Sequence, residues 1–512
     1  MQPKRFFFRQ HQKYSFRTFS ILCFLILFLT LPITNSFADS DSKHRKHDKH
    51  DKHDLNYQFF EKEKSDDDDE NHRHQKKMFK TDKRCKSEKI DWLNLPELDP
   101  IQPVQEKLLY VGGINQGDEI NPDVLLVIGA DPALPEEYGK LLYRMDLPNI
   151  GDEVHHFGYN ADRSKILLPG LYSSRIHMVN LDDPKQPFVE RVEDDIVEDS
   201  KHTHPHTVIA LPNGNNLISM LGADTESTAP GGLIEVCSDT GEYIRTFGPS
   251  AKRNHAVVGP TYMYDAGFKP ELNRMITTTF GLPKDIQGPI NVAGFGDEVY
   301  VWDLQKEKVI QRVKLSPNSG ALEVRWLEEH GVPIGFTNAP GTSEIWRWHD
   351  LDGDGEYIFE VAISLPPFSA PTDIVLSSDD KYLYIANWVG GGAAEGGNIQ
   401  QWNISDPFNP VFVSQVNTPY AQMMRLSLDN TRLYYGNSLL SGWDDTEFPA
   451  GVTRNISYGV RKIDINHIDG GMSLDTNFFV DTSAIQKKYN IGPIGPHQIF
   501  FDPAATPAGG FH

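Results

Sequence analysis

The chain has 512 residues and a formal charge of −22, from 71 acidic and 49 basic side chains. No stripe of Lys and Arg able to follow a phosphate backbone runs through its body, so nucleic acid is excluded as the expected partner. With 39% hydrophobic and 11% aromatic residues, the chain can build a large core, in two or three domains or in one large closed β architecture.

The first segment has the grammar of a secretory signal. Lys4, Arg5, Arg9, Lys13 and Arg17 precede the apolar run FSILCFLILFLTL, and Ser36 and Ala38 occupy the small-residue positions before a cut after Ala38. The run is short for a membrane span. Residues 1–38 are therefore expected to be a signal peptide, with an uncleaved anchor as the alternative. The mature protein is expected to be soluble, periplasmic or secreted, and free of the membrane after cleavage.

Residues 39–95 are polar and charged, and SKHRKHDKHDKHD sets His44, His47, His50 and His53 at a period of three, with His72 and His74 further on. Such composition predicts a disordered tail. Its imidazoles could also capture Cu, Zn or Ni without a fold. Of three cysteines, Cys23 leaves with the signal; Cys85 and Cys237 could pair in an oxidising compartment or stay as two thiols. No CxxC is present.

From residue 96 to residue 512 the sequence repeats. Polar turns rich in Asp, Asn and Gly precede apolar strands near residues 166, 217, 275, 334, 383 and 433, each followed by a loop and a second strand. A repeat of about 50 to 60 residues suits a four-stranded blade. DVLLVIGADPALPEEYGKLLYRMDLPN supplies a seventh unit. The predicted fold class is all-β, a seven-bladed β-propeller after a disordered N-terminal tail; a closed ring leaves no long exposed sheet edge.

In such a ring the innermost strands and their entry loops face a central channel. His155 and His156 immediately precede the strand ILLPGL, and His202, His204 and His206 alternate in KHTHPH before NLISML. Period two puts the latter three on one face of an extended segment. His497 precedes a short strand near the C-terminus, which a closed ring would bring beside the first blade. Neighbouring side chains in a strand point to opposite faces, so His155 and His156 can share a target only at a bend. Three or four converging imidazoles would hold a transition metal. The metal-ligating candidates are His155, His156, His206 and His497; His177 and His467 are read as surface residues, and no catalytic residue is assigned. Asp350, Asp352 and Asp354 begin like a calcium loop, but the twelfth position is Val361, so a solvated β-turn is expected.

The motifs DEVHHFGYN, LLPGLYSSRIHMVNL, LYIANW with QWNISDP, QMMRLSLDNTRLYYGNSLLSGWD and GPIGPHQIF resemble the selenium-binding protein family, whose members include methanethiol oxidases. The likeness runs over about residues 100–505. It implies a seven-bladed propeller and, for exported bacterial members, a copper-dependent oxidase. That enzyme turns methanethiol, oxygen and water into formaldehyde, hydrogen sulfide and hydrogen peroxide. His155 and His156 match the family's paired histidines, His206 the first of its HTxHC motif, and His497 the histidine before its last strand. These would be copper ligands by analogy, with Glu323 or Glu328 near. Asp152 or Glu153 could orient a ring.

The chain departs from the family pattern at Ile209 and Ala210, at Glu328 and at Gly390, where histidines or a cysteine are expected. The family cysteine beside the GWN motif has no counterpart. The leading expectation is an exported, copper-dependent oxidase of small thiols with oxygen as co-substrate, iron or no metal being the variants. The rival is a metal- or selenium-binding propeller without oxidase activity. A weaker third reading is a four-histidine iron site that cleaves an alkene. The oligomeric state is left open.

Overall fold

The computed structural model describes residues 85–95, 103–116, 121–223, 230–248, 263–287, 289–391, 396–418, 420–444, 456–485 and 493–506. The signal-like segment and the histidine-rich run lie outside them. The described residues form seven four-stranded antiparallel sheets, the seven blades expected, of which blades 2 to 7 span residues 158–193, 202–247, 263–314, 324–364, 371–417 and 424–481. Blade 1 is built from both ends of the domain. Its innermost strand, Ile494–Phe501, pairs with Leu108–Asn115, and Val124–Gly129 and Leu141–Asp146 complete it. The ring is thus closed by hydrogen bonds between early and late chain.

Burial explains which strands the sequence announced. The middle strands lie between neighbouring blades, so both faces are covered and they read as continuous apolar runs. Leu109, Val111, Val124 and Leu126 of blade 1 pack on Tyr434, Val460 and Phe478 of blade 7. On the other face, Leu108, Tyr110, Leu125 and Val127 pack on Ile166, Leu168 and Val179 of blade 2. Outer strands alternate instead, as in Lys308–Lys314. The strands near residues 166 to 433 are the second of each blade, not the first. Ahead of each lies an innermost strand, short in three blades (Gly158–Tyr159, Val324–Trp326 and Met424–Leu426), in a stretch the sequence placed in entry loops.

Buried aspartates tie successive blades together at the inner strands. Asp123 accepts the amide N–H of Val154 at 2.8 Å, Asp265 that of Val324 at 2.8 Å, and Asp373 that of Met424 at 2.7 Å. Each carboxylate satisfies a buried amide that no ladder pairs.

Residues 85–95, which composition groups with the tail, lie on the propeller as a strap over blades 3 and 4. Cys85 is disulfide-bonded to Cys237, which settles the open question of pairing. Trp92 is fully buried, stacks on Phe268 with ring centroids 5.2 Å apart, and donates its backbone N–H to Gln305 at 3.1 Å. Asn215 and Asn213 donate to the carbonyls of Lys86 and Glu88. No helix among the described residues is long and apolar enough to cross a membrane.

A candidate metal centre on the propeller axis

The backbone bends just before the paired histidines. Gly151 and Glu153 both have positive φ, and the Glu153 carboxylate is fixed by the backbone N–H and hydroxyl of Ser441, at 2.7 and 2.6 Å. Beyond the bend the chain enters the innermost strand of blade 2. There Gly158 lies so close to blade 3 that a Cβ would meet the Val208 carbonyl at 2.4 Å. On the opposite flank Gly436 leaves room for the backbone of Pro496 and His497, whose carbonyl oxygens a Cβ would meet at 2.5 and 2.8 Å. Three inner strands therefore converge.

The convergence brings together all four predicted ligands. Ring centroids of His155 and His497 are 3.6 Å apart, those of His156 and His206 3.9 Å, and those of His155 and His206 4.9 Å. The rings of His155 and His156 lie 5.2 Å apart and nearly parallel. Ligand atoms of His155, His156 and His206 all fall within 4.8 Å of one another. All four residues are buried.

The hydrogen bonds fix which ring nitrogens remain. His206 Nδ1 faces the Tyr264 carbonyl at 3.1 Å, and His497 Nδ1 faces the Ser438 carbonyl at 2.8 Å. A carbonyl only accepts, so each Nδ1 carries the proton and each Nε2 keeps its lone pair. Nε2 of His156, His206 and His497 and Nδ1 of His155 are buried without a hydrogen-bond partner. An unpaired buried polar atom costs about 1–3 kcal/mol. Three of them, on His155, His156 and His206, lie within reach of one ion, with His497 stacked on His155; a metal ion would resolve this pattern, and imidazole donors suit first-row transition ions. Burial, then the neighbouring imidazoles, holds His155 and His156 well below the ordinary histidine value. His206 is likewise well below it, and His497 is pushed down to about 3 by burial. All four are neutral at pH 7, the state that ligates.

The other half of the ring is charged. Arg325 is held by Glu323 at 2.8 Å, Asp265 at 3.2 Å and Asp373 at 3.5 Å. The second oxygen of Glu323, Oε1, lies 3.9 Å from His156 Nε2 and has no hydrogen-bond partner. Burial raises Glu323 well above the usual carboxylate range and Asp373 to about 7, although Arg325 opposes both.

Two cavities reach the histidines from opposite sides. One is polar; His156, Thr207, Asp265, Glu323, Arg325 and Arg425 line it among others. The other is apolar; His155, Tyr264, Phe280, Phe295, Trp388 and Trp443 contribute to its wall.

Several readings need correction. His202 and His204 do not join His206. A positive φ at His204 and a bulge between Pro205 and Val208 break the alternation. His204 Nε2 meets Gln287 at 2.6 Å, and His202 is buried under Gly232. His177 is fully buried beside Asp152, not on the surface, because a middle strand is covered on both faces. Asp152 bonds Ser173 and Arg175 and Glu153 bonds Ser441, so neither orients a ligand ring; backbone carbonyls do. Glu328 lies at the rim of the polar cavity. Tyr264, Asp265, Arg325 and Asp373 went unread, since each looks locally like an ordinary strand residue. Their shared place on successive inner strands was the available signal. Asp350, Asp352 and Asp354 do cluster, in a largely exposed turn.

Fold and cluster define a seven-bladed propeller with four buried histidines gathered where its inner strands converge. Residues 96–506 match the family model for the 56kDa selenium binding protein (SBP56). The chain belongs to the selenium-binding protein family. It is 30% identical over 443 residues to selenium-binding protein 2 of Arabidopsis thaliana, covering 74% of this chain and 87% of that one. It is 30% identical over 466 residues to methanethiol oxidase of Bos taurus, covering 78% and 94%. Among solved structures, a hypothetical selenium-binding protein from Sulfolobus tokodaii superposes with a TM-score of 0.67 at 26% identity, covering 79% of this chain and 95% of that one. A periplasmic gluconolactonase of Pseudomonas aeruginosa shares the fold alone, with a TM-score of 0.52 at 12% identity over 78% of this chain and 99% of that one.

Proposed function

We propose that the protein is a copper-dependent oxidase of small thiols that works outside the cytoplasm, in the periplasm or the medium. The observation that carries this reading is the four neutral, buried imidazoles with unpartnered nitrogens converging in a chain akin to named methanethiol oxidases. Its export is supported by the signal-like residues 1–38 and by the Cys85–Cys237 disulfide, a bond that persists in oxidising compartments.

Copper held there would supply a soft site for a thiol sulfur and a redox couple toward oxygen. His155, His156, His206 and His497 would hold it, the Tyr264 and Ser438 carbonyls keeping two of the rings in the ligating tautomer. The apolar wall on the His155 side excludes water. Glu323 sets one carboxyl oxygen beside His156, and Arg325 fixes the other. The missing family histidines do not break this set, since Ile209 and Gly390 lie outside the four-ring cluster. Selenium capture by a thiol finds no support: Cys85 and Cys237 are joined, and Cys23 lies in the signal-like segment.

The test is copper content and oxygen uptake by the purified protein with methanethiol. The expected result is about one copper per chain in a form lacking residues 39–84, with formaldehyde and hydrogen peroxide formed. Bound metal with no oxygen uptake would favour the non-enzymatic binding protein.

A further inference from the structure

The two cavities differ in more than polarity, and the difference assigns them separate duties. His155 and His156 are consecutive, yet His155 belongs to the wall of the apolar cavity and His156 to that of the polar one. The apolar cavity is walled by the rings of Tyr264, Phe280, Phe295, Trp388 and Trp443, with Leu322 between them. These rings interlock: Phe280 lies edge-on to Tyr264 at 5.3 Å and to Trp443 at 5.8 Å, and Phe295 stacks on Trp443 at 5.9 Å. Tyr264 also lies against His206, its ring tilted by 36° with centroids 3.8 Å apart, so the aromatic wall is continuous with the imidazole cluster. Among the described residues, no Asp, Glu, Lys or Arg side chain lines this cavity. The polar cavity carries Asp265, Glu323, Arg325 and Arg425.

From this we infer that the aromatic chamber is the subsite for the carbon end of the thiol, and that its size sets the substrate range. The inference rests on the proposed oxidase reading. The chamber offers ≈ 30 Å³ to the centre of a water-sized sphere. One such molecule needs about 10–15 Å³, so there is room for about two or three heavy atoms. A sulfur with one or two carbons fits within that space; a butyl or benzyl group would reach past it. Sulfur beside aromatic ring edges is a favourable contact. Phe280, Phe295 and Trp443 are then the specificity-determining residues, and water and polar products use the charged side.

The experiment measures binding apart from turnover. Protein loaded with cobalt(II) is titrated without oxygen with methanethiol, ethanethiol, 1-butanethiol and phenylmethanethiol, following the cobalt absorption bands. The two small thiols should bind at least tenfold more tightly than the two large ones, since one methylene against a fixed wall changes discrimination by about 10–200-fold. Phe280→Ala should abolish that preference. Val292→Trp, on the part-exposed rim of the chamber, should weaken every thiol at least tenfold at unchanged cobalt content; it serves where Phe280→Ala fails to fold. Arg425→Leu, on the polar side, should leave the ranking as it was. Equal binding of all four thiols, or a ranking altered by Arg425→Leu but not by Phe280→Ala or Val292→Trp, would overturn the assignment. Size-ranked binding without oxygen consumption by the copper form would retire the oxidase reading and leave the subsite standing. Oxygen consumption without size ranking would do the reverse.

Discussion

The imidazoles of His155 and His497 stack with centroids 3.6 Å apart, although one enters blade 2 and the other lies on the strand that closes blade 1. The histidine cluster and the closure of the ring therefore share a strand. His155→Ala or His206→Ala should reduce copper affinity by more than the 10–100-fold typical of losing an outer-shell partner. The check is copper per chain after dialysis against a weak chelator, and full retention in either variant would remove these residues from the site.

Acid should destabilise the metal-free protein earlier than its many carboxylates require. Burial lowers His202 and His204 to about 4 and His497 to about 3, from 6.5. Their folded values lie below the unfolded one, so between pH 6.5 and those values the unfolded chain binds more protons. Stability is complete above pH 6.5 and falls as pH drops through this window, by about 1.4 kcal/mol per pH unit for each such histidine. His202→Leu should flatten the slope by close to one proton, as read from urea unfolding at pH 7 and pH 5.

The inter-blade aspartates should matter more than their charge suggests. Asp123 receives the backbone N–H groups of Asn115 and Val154, each at 2.8 Å. Asp123→Ala strands two buried donors, at about 1–3 kcal/mol each. A loss of about 2–6 kcal/mol is expected in denaturant midpoints, with Asp123→Asn losing less because its amide oxygen still accepts.

The disulfide joins positions 152 residues apart, a long loop in the unfolded chain. Breaking such a bond typically costs about 2–5 kcal/mol. Cys237→Ser, or mild reductant, should lower the unfolding midpoint and loosen the strap, so that Trp92 fluorescence shifts to the red. An unchanged midpoint would mean that the strap is held by Trp92 and the asparagines alone.

The architecture was legible because middle strands covered on both faces read as apolar runs, as in Val124–Gly129. The four histidines were legible by position, each just ahead of or on an inner strand. The inner strands themselves were not, since three residues such as Val324–Trp326 carry no period. Nor was the acidic and arginine half of the axis. Asp265, Glu323 and Asp373 come from three different blades, and only the register of the closed ring points them at one guanidinium. The failure at His204 has a local cause, a left-handed residue that resets the alternation.

The strand Ile494–Phe501 follows every other strand of the propeller in the chain. During synthesis it is the last to appear, and it brings His497. Until then the imidazole set is short of one member and blade 1 lacks its inner strand. An ion that needed His497 as well as the other three rings would find its site only in a finished ring, and a nascent or truncated chain would offer it no complete nest.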